Sequence, residues 1–167
     1  MSGTETLTEI YIDELRDLWS ANDQMTGALK QLSQKAGNPK LKAMLERSVG
    51  GVAKHTEVLK SLIDANDGKH SKDHCKGMEG LVAEARKHAI DAHIKDDDAR
   101  DVIIVAQYQR MSHYGLAGFG TAEAYARALG RSGDEARLKA MTGEIYQADE
   151  FATALAEQSV NLAAKRG

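Results

Sequence analysis

Cysteine, proline, aromatic residues and basic runs are all scarce in this chain of 167 residues. The single cysteine, Cys75, excludes an intrachain disulfide framework and fits a reducing compartment, so a cytoplasmic protein is expected. The single proline, Pro39, leaves almost the whole chain free to form long helices. One tryptophan, two phenylalanines and five tyrosines are too few for a typical β-rich domain. No apolar run approaches the roughly 18 residues of a membrane span. The opening MSGTETLTEI lacks the apolar stretch of a signal peptide. With a formal charge of -3 and no long basic run, neither nucleic acid nor an anionic membrane is an expected partner. No phosphate loop, Ser/His/Asp arrangement or zinc-type cysteine spacing occurs.

What is abundant is Ala, Leu, Lys and Glu, the composition of an all-helical protein. The length suits one domain, 1–167, with a core that needs no staples. The first helix is predicted over 6–36, with Thr6 and Glu9 as a capping box. Its apolar seam runs Leu7, Tyr11, Leu15, Leu18, Asn22, Met25, Leu29, Leu32 in steps of three and four. The second starts at Asn38-Pro39, a good cap followed by a good first residue, and ends near Asn66. Its seam is Leu41, Leu45, Ser48, Val52, His55, Leu59, Leu62. A polar loop over 69–76 and a short helix over 78–94 follow. The third long helix begins after Asp96-Asp97-Asp98, with seam Val102, Val105, Gln109, Ser112, Leu116, Phe119. The fourth starts at Ser132, with Glu135 completing a second capping box. Its seam is Leu138, Met141, Ile145, Ala148, Ala152, Leu155, Ser159, Leu162. Two tight connections and one long one give an all-α, ferritin-like four-helix bundle whose crossover carries a short fifth helix.

Halfway along these helices the seams weaken. Asn22, Gly50, Gly51, His55, Ser112, His113, Gly115 and Gly143 gather in one layer. Each interior glycine lowers helix stability by about 1 kcal/mol relative to alanine, so the cluster needs a local reason. Close helix contact is the favoured one. A residual cavity and a small-molecule pocket are the alternatives. A dinuclear carboxylate centre needs Glu from two helices and Glu/His pairs from the other two. The seams instead carry Asn22, Gly51, Ser112 and Ile145. His55, His113, Glu144 and Asp149 are the residual ligand types nearby. His70, His74 and Cys75 read as a chance surface cluster. Met25, Met44, Met111 and Met141 read as core filler.

The opening LTEIYIDELRDLWSANDQM, the crossover segment CKGMEGLVAEA and the run QRMSHYGLAGFGTA resemble the YciF/YciE-type ferritin-like bacterial stress proteins over the whole chain. The resemblance implies a cytoplasmic, stress-induced, usually dimeric bundle with a dinuclear metal centre. It also locates the departures. The family pattern has Glu where Asn22 stands, and a Glu-Glu-Thr run at Gly50, Gly51 and Val52. It has Glu on either side of the His113-Tyr114 pair, where Ser112 and Gly115 stand. It has a triple Glu at Gly143, Glu144 and Ile145, followed by Asp149. Acidic positions are lost on all four helices. The expected protein is therefore non-enzymatic and homodimeric, with a degenerate metal site and no cofactor. Its middle is expected to be filled by Met, Leu and close glycine contacts, with hydrogen bonds linking Asn22, Ser112 and the histidines. The alternatives are an iron or manganese oxidase, ferroxidase or catalase-like enzyme, and a small-molecule binding module.

Overall fold

The computed structural model describes residues 6–71 and 73–166. Six α-helices are present among them: α1 (Leu7–Lys35), α2 (Pro39–Ala65), α3 (Lys76–Ala85), α4 (Asp97–Ala128), α5 (Ser132–Leu155) and the short α6 (Asn161–Lys165). A π-helical stretch, Arg86–Asp91, extends α3, and another, Ala156–Val160, joins α5 to α6. Hairpins α1–α2 and α4–α5 form the bundle. The crossover helix α3 packs on α1 and α4. No described helix is long and apolar enough to cross a membrane.

The helix starts follow local chemistry. Thr6 Oγ1 accepts from the Glu9 N–H, and Glu9 returns a carboxylate to the Thr6 N–H. Asn38 Oδ1 accepts from the N–H groups of Lys40 and Leu41, with Pro39 in the first turn. Two expected starts differ. Helix α3 begins at Lys76 because Cys75 caps it, its sulfur accepting from the Met78 N–H at 3.3 Å. The capping box at Ser132 and Glu135 does not form. Helix α4 closes with Gly130 at φ 69° and the Arg131 N–H bonded back to Ala126 O. That closure leaves only Arg131 before α5, and no side chain caps it. Glu135 instead accepts from Arg127 Nε at 2.7 Å.

The seams of α1 and α2 match the expected faces, with Leu15, Leu18, Leu29, Leu32, Leu41, Leu45, Leu59 and Leu62 fully buried. Helix α4 departs from a single stripe. Ile104, Tyr108 and Met111 are buried beside Val105, Ser112, Leu116 and Phe119, because α4 packs on α1, α3 and α5 together. The end of the fourth rod departs too. Val160 is buried and Leu162 is exposed. The π-helical turn at Ala156–Val160 inserts an extra residue and shifts which positions face inward.

The core falls into two clusters. One is built around Tyr11, Leu15, Leu18, Leu59, Leu62, Phe119 and Leu138. The other is built around Met25, Leu29, Leu41, Leu45, Met78, Ile104 and Met111.

Candidate functional site

Between the two clusters lies a cavity of about 340 Å³. Its floor comes from α1 and α4, through Leu18, Ala21, Asn22, Met25, Tyr108, Met111, Ser112 and Phe119, all buried. Met78 of α3 adds to that floor. Its sides come from α2 and α5, where Arg47, Glu144, Gln147 and Phe151 are exposed. The cavity therefore opens between α2 and α5. Arg47 lies over the Phe151 ring, 5.7 Å from its centre, at that opening.

All four positions read as lost metal ligands, Asn22, Gly51, Ser112 and Ile145, line this cavity. Glycine contacts do not close the layer, contrary to expectation. A Cβ added at Gly50, Gly51 or Gly143 would meet nothing within 4 Å, and one at Gly115 would only graze Ile145 Cδ1 at 3.8 Å. The small side chains here leave volume unfilled, because the rest of each helix keeps the backbones apart. Close glycine contacts lie elsewhere, the tightest at Gly118. A Cβ at Gly118 would fall 2.5 Å from Leu18 Cδ2 and 3.1 Å from Glu14 Oε1.

The expected hydrogen bonds among Asn22, Ser112 and the histidines also do not form. Asn22 Nδ2 and Ser112 Oγ are buried with no hydrogen-bond partner in the protein. The two residues are only 6 % and 3 % exposed. A buried polar group left in that state costs about 1–3 kcal/mol. Two other polar pairs line the cavity. Ser48 Oγ lies 3.2 Å from Tyr108 Oη, and His55 Nε2 lies 2.7 Å from Glu144 Oε2.

The residual ligand types meet as two separate pairs. His55 with Glu144 lines the cavity, its ring packed edge-on against Phe119. His113 pairs with Asp149 at 3.0 Å, and Gln109 Nε2 donates to the same carboxylate at 3.2 Å. That second pair is not part of the lining, and His113 is exposed. Among the described residues, no three His, Cys, Asp or Glu side chains gather as ligands for one ion. His70, His74 and Cys75 diverge in the same way. His70 pairs with Asp64, His74 pairs with Glu79, and Cys75 turns inward. Met25, Met44 and Met111 line the cavity, so they border a gap that they do not fill. Met141 sits in one of the cores.

One arrangement has no clear trace in the sequence. The Cys75 sulfur lies 2.9 Å from Tyr114 Oη, and Tyr114 donates to Asp17 at 2.8 Å. Since the phenol gives its proton to Asp17, the thiol donates to the phenol. Burial pushes the Cys75 thiol upward from its ordinary range. The Tyr114 phenol is raised as well, by burial first and then by its Cys75 and Asp17 partners. A protonated, buried thiol is a poor nucleophile, and this string ties α3 to α1 and α4. The close approach of Gly77 to the Tyr114 ring belongs to the same junction.

Known proteins share this architecture. The protein named YciF from Escherichia coli strain K12 is 30% identical over 161 residues, covering 94% of each chain. The solved structure of the E. coli stress protein YciF superposes with a TM-score of 0.89 at 28% identity, covering 95% of this chain and 99% of that one. YcfI from Rhodopseudomonas palustris, described as a putative structural protein, superposes at 0.86 with 28% identity, over 91% of this chain and 96% of its own. The family described as a domain of unknown function, DUF892, matches residues 6–165. A match of that extent, with the same four-helix bundle beneath it, makes this chain a member of the DUF892 family.

Proposed function

We propose that this protein is a non-enzymatic ferritin-like bundle whose metal layer has become a pocket for a small apolar molecule. The observation that carries this reading is the cavity of about 340 Å³ lined by Asn22, Gly51, Ser112 and Ile145. Binding pockets commonly span about 300–1,000 Å³ and are mostly apolar with a few polar anchors. The lining here has that composition.

The donor set speaks against a dinuclear centre. Two divalent cations in a low-dielectric interior need several carboxylates to offset their desolvation. Asn22 and Ser112 are neutral, and Gly51 and Ile145 offer no side-chain donor. Glu144 and Asp149 each serve a different histidine. These residues do not fit the metal chemistry that the family resemblance implies, and they offer no route to an oxidase or ferroxidase step. The stress-associated role rests on the relatives' descriptions, and a cytoplasmic homodimer completes the reading. Exposed Tyr146 on α5 supports the dimer. Light scattering at the 18.1 kDa monomer mass would count against it.

Two measurements test the reading. Titration calorimetry with naphthalene is expected to show one site per chain, abolished in Gly51→Phe, whose ring would occupy the cavity. Metal analysis after growth with iron and manganese supplied is expected to show neither near one per chain. Stoichiometric iron or manganese, lost in Glu144→Ala or Asp149→Ala, would restore the enzyme alternative.

A further inference from the structure

The cavity also carries information about its ligand. Four thioethers, Met25, Met44, Met78 and Met111, line it, together with the rings of Phe119 and Phe151. Sulfur and ring edges favour aromatic partners over saturated ones, and methionine adapts its shape to them. The volume, about 340 Å³, is roughly twice the ~150 Å³ of an engineered cavity that takes benzene. One or two fused rings with a short substituent match that space.

Charge is confined to the opening. Arg47 and Glu144 lie on the exposed α2 and α5 sides, and His55 is paired with Glu144. The floor holds no ionisable group except the Tyr108 phenol, which is engaged with Ser48. An ion placed there would lose its hydration with no opposite charge to offset it. Asn22 and Ser112 line the floor from facing helices, and Asn22 Nδ2 and Ser112 Oγ, both buried, lack a partner in the protein. An amide nitrogen can only donate, so what it needs is an acceptor.

We infer that the mid-bundle cavity takes an uncharged aromatic molecule of one or two rings bearing a carbonyl, the carbonyl oxygen accepting from Asn22 and Ser112. The ring system lies among the methionines and Phe119, and the far edge faces the Arg47–Phe151 opening. This ligand chemistry rests on the pocket reading and specifies what fills it.

The test compares three probes of one shape on the full chain: naphthalene, 2-acetonaphthone and 2-naphthoate, each titrated calorimetrically at neutral pH. The ketone is expected to bind about tenfold tighter than naphthalene, the effect of one hydrogen bond that relieves a buried orphan. The anion is expected to bind more weakly than the ketone. In Asn22→Leu the ketone's advantage should vanish while naphthalene still binds. Ser112→Ala, a smaller change, guards against misfolding of the first variant and should shrink the advantage in part. Equal binding of ketone and naphthalene would overturn the carbonyl inference and leave the pocket reading standing. So would a ketone advantage that survives both substitutions, or tighter binding of the anion. Binding of none of the three would overturn the pocket reading and this inference with it.

Discussion

The two long seams of the bundle use glycine for opposite ends. Between α1 and α4, Gly118 lets the helices close until Leu18 fills the space where a Cβ would stand. Between α2 and α5, Gly51 and Gly143 face open space and no backbone comes near. The first seam is a packed core contact with Leu18 fully buried. The second is the mouth of a cavity. A glycine in a helix is thus no sign of close packing until its neighbours are known. The same loss of about 1 kcal/mol in helix propensity is offset at Gly118 by contact, and at Gly51 by nothing within the protein.

Substitutions at those glycines test the contrast most strongly. Gly118→Val is expected to lower stability by about 2–3 kcal/mol, because the added atoms overlap a buried leucine that has little room to move. Urea unfolding would check it, and an unchanged midpoint would mean that the α1–α4 seam yields more easily than its distances indicate. Gly51→Ala and Gly143→Ala should move the other way, each raising stability by up to about 1 kcal/mol, since alanine gains propensity and meets no neighbour. A loss at either site would show the α2–α5 seam to be as tight as its counterpart.

Two smaller effects sharpen the comparison. Glu144 pairs with His55 across the open seam, but it is largely exposed. Glu144→Ala should therefore reduce stability by less than about 1 kcal/mol. Glu14 sits on the tight seam, half-buried, and its carboxyl is raised above the ordinary range by burial first and by Asp17 second. A raised carboxyl favours the folded state while protonated, and that contribution is lost as pH rises through its folded value. Glu14→Gln should then gain slightly over the parent at neutral pH. The gain should disappear in acid, where both side chains are neutral. Thermal melts across that range would reveal it, and a gain that grew towards acid would reverse the assignment.

Much of the fold is legible in the sequence because its signals are local. Thr6 with Glu9, and Asn38 with Pro39, each fix a helix start within a few residues. The three-and-four spacing of leucines on α1 and α2 needs only one partner face. The failures share a cause in tertiary context. Ser132 and Glu135 have the right spacing for a cap, but the tight closure through Gly130 takes up the residues a cap would use. Helix α4 packs on three neighbours, so a single stripe does not describe it, and Gly118 lies outside that stripe. The site is legible in its residue types alone. Asn22, Gly51, Ser112 and Ile145 mark a layer short of volume and charge. Whether helices collapse into such a gap depends on the packing above and below it, which no local pattern encodes.

That packing is tied off at both ends of the bundle. At one end, Tyr11 and Asn66 both donate to Asp134, joining α1, α2 and α5. At the other, Asp101 of α4 accepts from the Gly37 and Asn38 N–H groups at 2.8 and 2.7 Å, and Asn38 reaches Ser159 beyond α5. These ties act like hoops on a barrel. With both ends bound, the hollow at mid-height is held open by its frame rather than by anything inside it.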